Sequence, residues 1–212
     1  MILMYHKVDL ITPSRWWVSV SVFVEQMELL AQRFTLVYLD DYDPTDPSQV
    51  VITFDDAYEN VFHHAFPELR RLGLPFEIFV IGNMIGEWDD FDAGELKTRF
   101  CSRAQLREMA DCGGRVQFHS NSHIGLAGIS AGRLDRELEI EPGLLRDFPE
   151  PHLKWFSFPY GYHDDSAIES VKSTFRGAVS VENGSAFDRF QLNRVTVTND
   201  WLPGTTDQPA EA

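Results

Sequence analysis

The chain has 212 residues, with 33 acidic against 18 basic side chains, a formal charge of −15, 43% hydrophobic and 13% aromatic residues. That length fits one large domain whose core needs no staples, and the charge argues against nucleic acid and anionic membrane surfaces as partners. The two cysteines, Cys101 and Cys112, stand in neither a Cys-x-x-Cys nor a zinc-finger spacing, so they read as free thiols of a reduced compartment. The start, MILMYHKV, lacks a basic n-region, and no segment approaches the ~20 apolar residues of a membrane span, so the chain reads as cytoplasmic.

In chain order, Ile2–Tyr5 reads as a strand. Ser21 caps a helix whose apolar face is Phe23, Met27 and Leu30. Thr35–Leu39 is the next strand. The acidic stretch DDYDPTDPSQ after it reads as a solvated loop rather than a calcium site. Val50–Phe54 is a strand. Val61, Ala65, Leu69 and Leu72 then mark a helix that Pro67 kinks or restarts and Gly73 stops. Phe76–Ile81 is a strand, and residues 82–101 are irregular. Ser102 and Gln105 form a capping box ahead of Leu106, Met109 and Ala110, with Gly113 as the stop. Val116–His119 is a strand. Ser130 starts a helix through Leu134 and Leu138 that Pro142 interrupts. Trp155–Phe158, Ala178–Val181 and Leu192–Val197 are strands, and Asp165 caps a helix carrying Ile168, Val171 and Phe175. Residues 1–203 form one domain and 204–212 a frayed tail.

This alternation predicts an α/β fold, a distorted (β/α) barrel of about seven to eight parallel strands. An open doubly wound sheet is the alternative. No Gly-x-Gly-x-x-Gly or Walker loop marks a nucleotide site.

The unusual polar residues share one property: they fall at strand ends. His6 ends the first strand, Asp55 and Asp56 follow Val50–Phe54, and His119 ends RVQF with His123 just beyond it. Pro159-Tyr160-Gly161 follows KWFSF. In a parallel barrel the C-terminal strand ends share one face, where active sites are built. Adjacent carboxylates at a buried strand end repel each other, and a cation removes the difficulty. One carboxylate with two imidazoles and open positions is a catalytic metal set. The second carboxylate then stays ionised beside the metal and serves as general base.

TFDDAY, HSNSH and FPYG resemble, in order, the motifs of polysaccharide deacetylases, the carbohydrate esterase family 4 or NodB-homology domain. The opening MYHKV and the late LNRVTV resemble a subgroup with an N-terminal YHxV motif. The resemblance implies a distorted barrel and a metal-dependent hydrolase that removes N-acetyl groups from a sugar or polysaccharide. It implies Asp55 as catalytic base, and Asp56, His119 and His123 as ligands of a divalent ion, zinc before cobalt or nickel. It further implies the Tyr160 backbone N–H as oxyanion donor and Ser120 as a loop-ordering hydroxyl.

Four departures stand out. Ala57 replaces the usual Gly after the acids, and Ile124 follows His123 where Pro is common. Phe156 and Ser157 stand where a base-orienting arginine is expected, and the late Leu-x-His that supplies a general acid is missing. In a closed barrel the first and last strands are neighbours, so His6 can fill the acid's place. Arg194, on a late strand, can orient Asp55. Trp16, Trp17, Trp88 and Phe91 lie in segments that can border the site, for sugar stacking or for packing. Two other functions stay open: a catalytically impaired glycan-binding relative, and a metal-dependent amidohydrolase of a small non-sugar amide.

Overall fold

The computed structural model describes residues 1–91, 94–181 and 184–204. The fold is a mostly parallel sheet, nearly closed into a barrel, with helices packed outside. Its strands are β1 (Ile2–Tyr5), β4 (Thr35–Leu36), β5 (Gln49–Phe54), β6 (Phe76–Val80), β7 (Gly114–Phe118), β8 (Trp155–Ser157), β9 (Gly177–Ser180), β10 (Leu192–Asn193) and β11 (Val195–Thr196). Their order is β10-β9-β8-β7-β6-β5-β1-β11, with β4 beside the start of β5. A separate ribbon pairs β2 (Lys7–Asp9) with β3 (Trp17–Ser19). The helices are α1 (Val20–Arg33), α2 (Phe66–Leu72), α3 (Arg103–Asp111), α4 (Ala131–Leu138), α5 (Pro142–Asp147) and α6 (Asp165–Thr174). Among the described residues, no helix is long and apolar enough to cross a membrane.

Strand alternation sorts the side chains into two layers. Ile2, Val51, Phe79, Trp155, Val179 and Leu192 pack together inside the barrel with Leu39. Their neighbours Leu3, Ile52, Ile78, Val80, Phe156 and Ala178 face the helices, where Phe23, Leu69, Leu106 and Val171 cover them. The same parity turns Thr53, Glu77, Gln117 and Ser157 inward, and all four are buried. A strand buried on both faces must be apolar on both faces, so these four polar positions stand out.

Several boundaries differ from the sequence reading. Ser19, not Ser21, caps α1, its hydroxyl accepting the Val22 N–H, because β3 runs straight into the helix. Asp164, not Asp165, caps α6 by accepting the Ala167 N–H. The strand expected over Thr35–Leu39 stops at Leu36. The chain then leaves the sheet to plug the barrel base, where the Leu39 N–H donates to Glu77 Oε1 at 2.9 Å. Asp40, read as part of a solvated loop, instead accepts the Trp155 indole N–H at 2.9 Å and lies within 3.2–3.5 Å of Arg115, Arg176 and Arg189. At Pro67 the helix restarts: a wide turn over Val61–Ala65 precedes α2, and Gly73 stops it at φ 65°. The strand read over Leu192–Val197 splits at Arg194. Its first part pairs with β9 and its second with β1, so this short segment touches both sheet edges. The β2–β3 ribbon was not foreseen. Apart from Gly204, the expected tail lies outside the described residues.

Candidate active site

The strand ends at one mouth of the barrel turn sharply inward. Asp56, Ala57, Ser120, His123 and Tyr160 all have φ between 54° and 66°. Five of the six left-handed non-glycine residues described therefore sit at this mouth. Such conformations are strained for L-residues and mark places where the surroundings dictate the backbone. Ala57, at φ 58°, occupies a position suited to glycine. Ser120 orders its loop, its hydroxyl accepting the His123 N–H at 3.0 Å. Glu137 on α4 braces the same loop through Ser122, accepting its N–H at 2.9 Å and its hydroxyl at 2.6 Å.

Asp56, His119 and His123 converge: their ligand atoms lie within 4.8 Å of one another, and all three residues are buried. Asp56 Oδ1 is 3.4 Å from His119 Nε2 and 3.3 Å from His123 Nε2. His119 Nδ1 lies 2.7 Å from the Ser157 carbonyl. A carbonyl can only accept, so Nδ1 carries the proton and Nε2 presents a lone pair to the carboxylate. Burial pushes both imidazoles toward the neutral form, His123 down to about 2, so neither brings a positive charge to Asp56. At His119 an acceptor therefore faces an acceptor, which is unfavourable in a buried site unless a cation lies between them. The donor set therefore fits a divalent ion of the kind bound by nitrogen and oxygen ligands.

Asp55 is held differently. Arg194 donates from its two terminal nitrogens to Oδ1 and Oδ2 at 2.7 and 2.5 Å, a bidentate pair. Arg194 also donates to Thr53 Oγ1 at 3.1 Å and Ser157 Oγ at 2.9 Å, and the Ser157 hydroxyl lies 3.3 Å from Asp55. Burial alone would raise the Asp55 pKa, but the Arg194 guanidinium outweighs it and holds the carboxyl well below the usual range. Asp55 is thus ionised and fixed in orientation. Arg194 reaches Asp55 from the junction of β10 and β11, two strands from the β8 end where Pro159 follows.

Asp55, Asp56, His119, His123 and Arg194 line a cleft of about 290 Å³ together with His6, Lys7, Arg15, Trp16, Tyr58 and Tyr160. The apolar side chains Met4, Phe158 and Val181 also face it. His6 packs its ring against Trp16, with centroids 4.8 Å apart. Burial lowers its pKa to about 4, assisted by Arg194, His119 and Lys7 and opposed by Asp55. It is therefore neutral at rest near pH 7, not the standing imidazolium expected of an acid. Tyr160 sets its ring edge-on to His123 at 4.6 Å.

The aromatic candidates separate. Trp16 lines the cleft. Trp17 is buried and donates from Nε1 to Glu95 at 2.6 Å, a packing role. Trp88 is exposed outside the cleft lining, with the Arg99 guanidinium 5.6 Å from its ring. Phe91 stacks on His123. Sequence reasoning missed Lys7, Arg15, Tyr58 and Tyr162 as lining residues. Lys7 directly follows His6 and Tyr58 is two residues from Asp56, so neighbourhood is the available signal.

Residues 42–175 match the family model described as polysaccharide deacetylase. YxkH of Bacillus subtilis (strain 168), assigned by name to the polysaccharide deacetylases, is 25% identical over 174 residues, 80% of this chain and 58% of its own. The poly-beta-1,6-N-acetyl-D-glucosamine N-deacetylase of Staphylococcus epidermidis (RP62A) is 25% identical over 167 residues, 71% of this chain and 55% of its own. The chain thus spans little more than half the length of these relatives. Among solved structures, the deacetylase PplD of Streptococcus pyogenes, in complex with acetate, superposes with a TM-score of 0.80 at 19% identity, covering 95% of this chain and 93% of that one. IcaB from Ammonifex degensii superposes with a TM-score of 0.72 at 23% identity, covering 94% and 92%. At these identities the superpositions speak for the fold.

Proposed function

Because the chain belongs to the polysaccharide deacetylase family, we propose that it hydrolyses N-acetyl groups on a sugar or polysaccharide, releasing acetate and a free amine, at a metal site made of Asp56, His119 and His123. The observation that carries this reading is the junction of two arrangements: a buried Asp-His-His donor set beside a carboxylate clamped by Arg194. A divalent ion there, zinc before cobalt or nickel, would polarise the acetamide carbonyl and acidify water.

The chain's own residues then divide the work. Asp55, ionised at every working pH, accepts the proton of the attacking water while Arg194 keeps its oxygens in place. The new C–O bond forms as the carbonyl oxygen becomes anionic, and the backbone N–H of Tyr160 is assigned to that oxygen. The C–N bond breaks when the amine receives a proton, and His6 is assigned to deliver it. His6 is neutral at rest, so it takes a proton from solvent as negative charge growing on the substrate raises its proton affinity, passes that proton to the amine, and Asp55 returns the water's proton to solvent. Met4, Phe158 and Val181 offer an apolar wall for the acetyl methyl group.

The Arg194 contact favours this reading over a catalytically impaired glycan binder, because the base is oriented after all. The test is a panel of N-acetylated sugars, their oligomers and small non-sugar amides, read as amine release, with metal content measured on the same protein. Release from the sugars alone is expected. Release only from small amides would replace the substrate class, and binding without release would replace the enzyme.

A further inference from the structure

The two histidines of the donor set are held by different means. His119 is tied through Nδ1 to a carbonyl. His123 Nδ1 is buried and has no hydrogen-bond partner among the described residues. A metal-binding imidazole is ordinarily oriented by a hydrogen bond at its other nitrogen, so something else must set the His123 ring. A stack of three near-parallel rings supplies it. Tyr58 stacks on Phe100 at 4.9 Å and 26°, Phe100 on Phe91 at 6.0 Å and 17°, and Phe91 on His123 at 4.2 Å and 24°.

The stack is anchored at both ends. The Lys7 ammonium lies 4.2 Å from the Tyr58 ring centre, and Tyr58 itself is two residues from Asp56. Asp89 fixes the turn that presents Phe91. Its Oδ1 accepts the Phe91 N–H at 3.2 Å, its Oδ2 accepts the Tyr58 hydroxyl at 3.2 Å, and Lys7 Nζ stands 3.8 Å away. A flat ring against the His123 face limits rotation about its ring torsion, which is otherwise broad.

We propose that Phe91 is a positioning residue for His123, setting the ring for the ion by stacking where a hydrogen bond is absent. This rests on the metal reading above. The measurement is the dissociation constant for cobalt(II) alone, by competition with a chromophoric chelator, alongside the melting temperature of the metal-free protein. Phe91→Ala is expected to weaken cobalt binding about tenfold, the lower end for residues that orient metal ligands, with the metal-free melt unchanged. Phe91→Tyr, which keeps the flat ring, should restore affinity to within about twofold. Phe91→Leu, apolar but without a ring face, should lose several-fold, and it carries the test if the alanine variant does not fold. Wild-type affinity in the alanine or leucine variant overturns the role of Phe91 and leaves the donor set standing. A wild-type protein that takes up no cobalt or zinc overturns the donor set itself.

Discussion

The barrel buries carboxylates near both ends, and Asp55 and Glu77 are treated in opposite ways. At the mouth, Asp55 is clamped by Arg194 and held well below the usual range. At the base, Glu77 accepts N–H bonds from Leu39 and Gln117 and, among the described residues, no hydrogen bond or ion pair from a guanidinium; burial pushes its pKa up to about 7, against those donors and the more distant charge of Arg115. Both sit on inward positions of neighbouring parallel strands, Asp55 just past the end of β5 and Glu77 on β6. The difference is the partner: a full opposite charge in hydrogen-bond contact overcomes desolvation, while neutral donors only moderate it. Asp55 keeps its charge at the mouth, and Glu77 helps close the barrel base.

The largest expected effect separates the two acids at the mouth. Asp55→Asn should lower kcat by about 10³-fold, within the range for a general base, while metal content stays near wild type. It also leaves Arg194 buried without its counter-charge, so a loss of about 3 kcal/mol in stability should accompany it. Asp56→Asn should reduce metal content itself. Equal metal loss in the two variants would end the division of labour between them.

The base end is read through pH. The Glu77 pKa is raised in the folded chain from an ordinary 4.5 to about 7. The folded state therefore holds more protons than the unfolded state between those values, and stability falls as pH rises. This contribution is complete below pH 4.5 and lost above pH 7. It amounts to about 3 kcal/mol at about 1.4 kcal/mol per unit. Denaturant titrations of wild type and Glu77→Gln should show the wild type losing about that much relative to the variant between pH 4.5 and 8. Parallel curves would mean that the Leu39 and Gln117 donors keep Glu77 ionised throughout.

The two ends also differ in how far the sequence discloses them. The mouth is legible because its residues break apolar runs at strand ends: Asp55 and Asp56 after VVITF, and His119 after RVQF. Arg194 lies inside a strand-like run, and only strand parity with barrel closure brings it to Asp55. The base is hidden. Asp40 sits in a stretch that composition reads as solvated, yet three arginines distant in sequence gather on it. The stack from Tyr58 to His123 is equally invisible, since its rings come from segments with no shared period. Local patterns report strands and their ends, whereas contacts between remote segments need the fold.

A smaller effect probes the neutral state of His6. His6→Ala should leave metal content and folding intact and lower kcat on an unactivated acetamide by about 10²-fold, as for loss of a general acid. An activated acetyl ester, whose leaving group needs no proton, should suffer much less. Equal losses on both substrates would give His6 a packing role against Trp16.

The smallest effect concerns the backbone that sets the mouth apart. Ala57 is buried at φ 58°, and its carbonyl accepts the Cys101 N–H at 2.8 Å, so its conformation is pinned from outside. A left-handed alanine costs about 1 kcal/mol, which glycine would relieve. Glycine also brings about 0.5–1 kcal/mol of extra chain entropy to the unfolded state and deletes a buried methyl worth about 0.8 kcal/mol. These contributions largely cancel, leaving a net cost of about 0.3–0.8 kcal/mol, so Ala57→Gly should lose less than about 1 kcal/mol relative to wild type. Ala57→Val cannot share the cancellation, because a β-branched residue at positive φ is an outlier. It should cost about 2 kcal/mol or more and weaken metal binding through the adjacent Asp56. A valine variant with wild-type stability would show that the turn after Asp56 can open without the left-handed backbone, and the strain that gathers at the mouth would not be needed to present Asp56.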